Sequence, residues 1–167
     1  VKRAKLIIIT GTPGTGKTTV AKLLCDRLGY EQIDWHDLLK QNKKLSLGYD
    51  RSSKCYDLNI KILRKVIDEI LKNNPLKIFV FDTHISHLLP KKIIDLAIVM
   101  KCSNLKKLRE RLEGRKYGKK KIEENLQCEI FDECFDAIVE LGVKHIVVDS
   151  SKKIVQKELV KGVSMLV

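Results

Sequence analysis

Leu6-Ile7-Ile8-Ile9-Thr10-Gly11-Thr12-Pro13-Gly14-Thr15-Gly16-Lys17-Thr18-Thr19-Val20-Ala21 is the stretch that decides the fold. Its first part is a short, fully apolar and largely β-branched run, the pattern of a strand buried on both faces of a parallel sheet. Gly11 to Thr18 then satisfies G-x-x-x-x-G-K-[ST] at every fixed position. Each fixed position has a physical task. The glycines permit turns closed to other residues and let backbone N–H groups approach phosphate oxygens. Lys17 brings a mobile positive charge to the β- and γ-phosphates, and the Thr18 hydroxyl is a ligand for Mg²⁺. Beyond the loop, Val20, Ala21, Leu23, Leu24 and Leu28 recur at helical spacing. The positive end of that helix points back at the loop. Strand, loop and helix together predict a nucleoside triphosphate site.

Around this unit the chain alternates apolar runs with amphipathic stretches. Strands are expected near residues 5–10, 33–34, 76–82, 96–100 and 144–148. Helices are expected near 17–28, 35–41, 57–73, 105–112, 122–141 and 153–161, with a polar stretch at 42–55 and a basic loop at 114–121. Five strands separated by helices predict an α/β fold with a parallel sheet and right-handed crossovers. Ligands of such sheets sit beyond the carboxyl ends of the strands. Thr10 and Asp82, which ends Leu76-Lys77-Ile78-Phe79-Val80-Phe81-Asp82, are expected to meet there.

The 167 residues are 44% hydrophobic and 32% charged, which fits one soluble domain, residues 1–167. No apolar run approaches the ~20 residues of a membrane span. Val1-Lys2-Arg3-Ala4 leads directly into the first strand, so no signal peptide and a cytoplasmic location are expected (nuclear if the source is eukaryotic). Five cysteines, Cys25, Cys55, Cys102, Cys128 and Cys134, contain no C-x-x-C, which argues for reduced thiols rather than a zinc site. The net charge of +12 has two readings. One is an RNA or ribonucleoprotein partner. The other is a Lys-rich surface of the kind seen in proteins from hot environments.

Asp82 stands where phosphate-loop enzymes hold Mg²⁺ through a second group, although an acid at a strand end is often only a cap. His84 is placed to orient a water or an acceptor phosphate, or to move a proton; a structural histidine is the alternative, and His87 is the weaker candidate. Arg111 and Arg115 are one helical turn apart and lead into a Gly-bounded basic loop, so residues 114–124 read as a lid. Residues 35–57 face the acceptor, with Asp37, Lys40 and Arg51 as candidate contacts.

The phosphate loop, Phe81-Asp82-Thr83-His84 followed by Leu89-Pro90, the Arg111-Leu112 and Arg115 lid entry, and Glu124-Asn125-Leu126-Gln127-Cys128-Glu129-Ile130-Phe131 occur together and in this order. In this the chain resembles the adenylate kinase isoenzyme 6 family, archaeal members included, over residues 5–148. The resemblance implies a three-layer phosphate-loop NTPase fold of the nucleoside monophosphate kinase type, with sheet order 2-3-1-4-5 and helices on both faces. It implies conversion of ATP and AMP to two ADP, ATPase activity, and a role in maturing small-subunit ribosomal RNA through a ribosomal protein of the subunit platform. By position, Gly14, Gly16, Lys17, Thr18 and Thr19 would bind ATP phosphates, Arg111, Arg115 and Lys152 would complete the ATP site, and Thr18, Asp82 and His84 would serve Mg²⁺ and catalysis.

One departure bears on the acceptor. Ordinary adenylate kinases carry Asp-Gly-Phe-Pro-Arg after the third strand, and the Arg holds the AMP phosphate. Here the run is Asp82-Thr83-His84-Ile85-Ser86, with no Arg. Three readings therefore stay open: an adenylate kinase and ATPase, a kinase of another small molecule such as shikimate or a nucleoside, and an assembly factor whose ATP cycle switches binding.

Overall fold

The computed structural model describes residues 2–50 and 55–167. Arg51 lies outside the described residues. Five parallel strands form the main sheet: β1 (Lys5–Thr10), β2 (Glu31–Gln32), β5 (Ile78–Asp82), β6 (Leu96–Lys101) and β7 (His145–Asp149), in the order β2-β5-β1-β6-β7. Counted along the chain, that is the expected 2-3-1-4-5. β1 lies at the centre, with Ile9 paired to Asp82 on one side and to Ile98 on the other. This register brings the phosphate loop, which leaves β1, beside the segment that leaves β5.

Period-two alternation divides β1 between two cores. Ile7 and Ile9 pack with Val20, Ala21 and Leu24 of α1 (Lys17–Leu28) and Val163 of α7 (Gln156–Leu166). Leu6 and Ile8 face Leu63, Ile67 and Leu71 of α3 (Ile60–Asn73) and Ile138 of α6 (Glu133–Leu141). Full burial of each such aliphatic side chain contributes roughly 1.5–3 kcal/mol, which holds the base of the loop rigid. A third, smaller core of Cys102, Leu108, Leu112, Ile122 and Leu126 joins α4 (Leu105–Gly114) to α5 (Lys119–Ile130).

Two segments differ from the sequence expectation. The polar stretch after α2 (Trp35–Gln41) contains an antiparallel pair, β3 (Ser46–Asp50) and β4 (Cys55–Leu58). α3 accordingly begins at Ile60, where the Asn59 side chain caps it by accepting from the Ile62 N–H at 3.2 Å. The expected helix at 122–141 is two helices. Asp132 adopts the left-handed conformation, φ 53°, between α5 and α6, and its carboxylate pairs with Lys101 at the end of β6. Aspartate tolerates that conformation better than most side chains, so no glycine or proline marks the break.

Candidate active site

The phosphate loop spans the gap from β1 to α1, and its shape depends on three glycines with positive φ: Gly11 at 145°, Gly14 at 87° and Gly16 at 90°. Gly11 is the most constrained. A Cβ there would lie 2.4 Å from the Met100 carbonyl oxygen and 2.9 Å from Thr15 Oγ1, so loop and β6 approach too closely for any side chain. Thr15 Oγ1 donates to the Thr12 carbonyl at 2.7 Å, which closes the loop on itself.

Lys17 turns back over this loop and donates to the Gly11 carbonyl at 2.6 Å and the Thr12 carbonyl at 3.1 Å. Burial lowers its pKa from 10.5 to about 8; Cys134 opposes the shift, Arg115 adds to it, and Asp82 and Glu129 oppose it. The site thus holds a lysine whose charge is costly until an anion arrives.

A cleft of about 490 Å³ opens at the carboxyl edge of the sheet. Lys17, Thr18, Asp82, His84 and Arg115 all line it. The Asp82 carboxylate accepts from Gln32 Nε2 at 2.7 Å, so the end of β2 orients it. His84 is exposed at the cleft mouth. Even so, the surrounding protein desolvates its ring and, with the charges of Lys17, His87 and Lys121, pushes its pKa below the ordinary value. His87 is half-buried in the turn Ser86–Leu88, with Nδ1 enclosed and without a hydrogen-bond partner; burial lowers its pKa as well.

A second depression, against the opposite side of the loop, is lined by Gly14, Gly16, Thr19, Arg111, Arg115, Ser150 and Ile154. Arg115 borders both hollows. Arg111 is braced: Nη1 donates to the Gly14 carbonyl at 3.1 Å and to Ser150 Oγ at 2.9 Å, while Nη2 donates to the Ser150 carbonyl at 2.9 Å. Ser150 follows β7, and Asp149 fixes its turn by accepting from the Ser103 hydroxyl at 2.6 Å and the Ser151 hydroxyl at 2.7 Å. Burial acts to raise the Asp149 pKa, but these bonds hold it well below the usual carboxylate range. Lys152 is exposed in the same turn, outside both linings.

At the end of the cleft near β2 and α2 lie residues that spacing alone did not single out. Gln32, Asp34, Trp35 and His36 line the cleft. Asp34 also caps α2, accepting from the Asp37 N–H at 2.8 Å. Asp37 and Lys40 are not part of the lining; they are exposed on α2 and paired with each other at 3.6 Å. From α5 and the turn before it, Tyr117, Lys121 and Asn125 complete the wall, with Lys121 Nζ 4.5 Å from the Tyr117 ring centroid.

Glu129 is the residue the sequence reading missed as a working part. It is buried, on α5. Oε2 accepts from the Thr12 hydroxyl and Oε1 from the Cys102 backbone N–H, both at 2.6 Å. One carboxylate therefore ties the phosphate loop, the end of β6 and α5 together. Its position inside the Glu124–Phe131 run was the available signal.

A family model described as an AAA domain matches residues 7–132. A Methanocaldococcus jannaschii protein described as a putative adenylate kinase is 44% identical over 128 residues, 77% of this chain and 68% of that protein. An adenylate kinase isoenzyme 6 homolog of Schizosaccharomyces pombe is 38% identical over 144 residues, 86% of this chain and 79% of that one. Among solved structures, shikimate kinase from Acinetobacter baumannii superposes with a TM-score of 0.63 at 13% identity, covering 99% of this chain and 93% of that one. Deoxyadenosine kinase from M. mycoides with bound dATP gives 0.59 at 18% identity, covering 96% and 99%. At such identities the structures establish the phosphate-loop kinase fold alone. With the sequence relatives, the assignment is specific: the chain belongs to the adenylate kinase isoenzyme 6 family of adenylate kinase-like phosphotransferases.

Proposed function

We propose that the chain transfers the γ-phosphoryl group of ATP to AMP, and to water when no acceptor is bound. The observation that carries this reading is the cleft itself. It gathers Lys17, Thr18, Asp82, His84 and Arg115 with Gln32, Asp34, Trp35 and His36, and the last four would face the acceptor. ATP phosphates would lie on the loop amides and the α1 N-terminus, with the base toward Thr19, Arg111 and Ser150. The two nucleotides would then approach from opposite sides, as in-line transfer requires.

Phosphoryl transfer needs positioning and charge neutralisation more than covalent help. Phosphate charge would draw a proton onto Lys17, so its charge is full when the transferring group is in place. Arg115, on the border of both hollows, would meet the bridging region. An AMP phosphate is already an anion and needs no base. His84, biased toward its neutral form, would orient the acceptor oxygen by hydrogen bonding, or a water in the hydrolytic reaction. Thr18 and Asp82 present hydroxyl and carboxylate oxygens to one cleft, the hard donor set that suits Mg²⁺. When bound there, Mg²⁺ supplies neutralisation of phosphate charge. Residues 114–124 would act as the lid, moving with the α4–α5 unit, and residues 35–57 would form the acceptor region. A panel of nucleoside monophosphates, nucleosides and shikimate, each with MgATP, tests the reading: strong preference for AMP is expected, and turnover of an alcohol acceptor in its place overturns it.

The charge of +12 favours a second role alongside the first, a nucleotide-switched part in assembling the small ribosomal subunit. It predicts ATP-dependent, salt-sensitive association with ribosomal RNA or a platform protein. Retention on such a partner that is indifferent to an ATP analogue would remove it.

A further inference from the structure

The proposed reaction brings two anions together, and the acceptor's monophosphate alone carries about −1.5 to −2 charge at pH 7. The run that leaves β5, Thr83 to Pro90, contains no lysine or arginine to hold it. Lys40 is outside the cleft and paired with Asp37. Among the described residues, the lysines and arginines that line the cleft are Lys17, Arg115 and Lys121. Lys17 is folded over the phosphate loop, and Arg115 also borders the second hollow. Lys121 borders the cleft and not that hollow. The helix that carries it is fixed in its roll. Lys121, Asn125 and Glu129 are spaced four apart on α5 and share one face. Lys121 and Asn125 line the cleft, and Glu129 holds the Thr12 hydroxyl and the Cys102 N–H, both at 2.6 Å. On the adjoining face, Ile122 and Leu126 are buried with Leu108 and Leu112 of α4. The first turn of α5 is thereby aimed at the cleft. Asn125 Nδ2 donates back to the Lys121 carbonyl at 2.7 Å. The Tyr117 ring, 4.5 Å from Nζ, steadies the ammonium without neutralising it. His84 lines the same cleft, and the Lys121 charge is among those that, after burial, hold its ring below the ordinary pKa.

From this placement we infer that Lys121 binds the phosphate of the acceptor nucleotide, in place of the arginine that the run after Asp82 lacks. Its ammonium is a point charge with three donors on a flexible stem, so it follows the acceptor phosphate as the transferring group arrives. Because Lys121 lies in the lid segment, residues 114–124, the positive charge comes to the acceptor with the lid and not from the turn that leaves β5. The acceptor is thus recognised by its phosphate from the α5 wall, and an acceptor without a phosphate gains nothing from Lys121.

The inference rests on AMP as the acceptor. In the test, the donor site of the full chain is filled with a non-hydrolysable ATP analogue, whose own affinity is measured first. AMP and adenosine are then titrated in turn by calorimetry. Lys121→Met is expected to weaken AMP roughly 10- to 100-fold and to leave adenosine and the ATP analogue at the parent affinity. Lys121→Arg keeps the charge and is expected to restore most of the AMP affinity. Lys161→Met, which removes an exposed charge from α7, is the control for net charge and is expected to bind AMP as the parent does. Equal losses for AMP and adenosine, a larger loss for the ATP analogue, or no loss at all overturns the inference. A parent chain that does not bind AMP overturns the proposed function and the clamp with it. A parent that binds AMP, beside a Lys121→Met variant that binds it equally well, overturns the clamp alone.

Discussion

Arg111 grips Ser150 with both arms of its guanidinium, Nη1 on the hydroxyl and Nη2 on the carbonyl, each at 2.9 Å. The same Nη1 reaches the Gly14 carbonyl. The turn after β7 and the phosphate loop are therefore braced by one side chain. Arg111→Lys keeps the charge and loses the fork. Loss of two or three partly buried bonds, about 1–3 kcal/mol, is expected to raise KM for ATP roughly 5- to 100-fold with a smaller effect on KM for AMP. Steady-state kinetics with each nucleotide varied in turn measure the split.

Gly11→Ala places a methyl group 2.4 Å from the Met100 carbonyl at a φ of 145°. Neither strand can yield without breaking the β1–β6 register. The expected result is a destabilisation of about 3 kcal/mol or more, seen as a lowered urea midpoint and loss of nucleotide binding. Gly48→Ala, with open space around the Cβ, is the control that stays near the parent value.

Lys17 links activity to pH. Its folded pKa of about 8 is below the unfolded 10.5, so between these values the unfolded chain binds the extra proton. Stability therefore rises with pH across that window, and below about pH 8 the cost of the buried charge is fully present. Relative to Lys17→Met, the parent chain is expected to gain about 1–3 kcal/mol between pH 8 and 10.5, measured by urea unfolding. ATP binding at pH 8.5 is expected to take up a proton, visible as a buffer-dependent calorimetric enthalpy. Lys17→Met should also lower kcat for ADP formation roughly 100- to 1,000-fold.

Asp82→Asn keeps an oxygen for Gln32 and removes the charge. If Asp82 serves Mg²⁺, kcat falls roughly 100-fold and the magnesium concentration for half-maximal rate rises. ATP affinity in EDTA is unchanged or improved, because a negative charge has left the cleft. A variant with the parent's magnesium dependence would remove Asp82 from the metal site.

The phosphate loop and Asp82 were legible because their meaning is local: each is a short continuous run at the end of an apolar strand. The sheet order is not local in this sense, and it was legible only through the family resemblance. Glu129 and Ser150 were not legible in this way. Glu129 meets Thr12 across 117 positions and Ser150 meets Arg111 across 39, so only tertiary packing reveals what they hold. The kink at Asp132 was hidden because helical periodicity runs on through it. The β3–β4 pair was hidden because Ser46–Asp50 is short, contains Gly48, and shifts register between Ser46 and Gly48. His36 was passed over because the cap at Asp34, which aims the start of α2 at the cleft, is a matter of three-dimensional direction.

The Glu129 carboxylate also sets an order of events in the life of the chain. Thr12 leaves the ribosome 117 residues before the glutamate that anchors it. The loop can be made early but stays unbraced until α5 has emerged and packed against β6. Bracing of the loop is thus deferred until four of the five strands of the sheet exist.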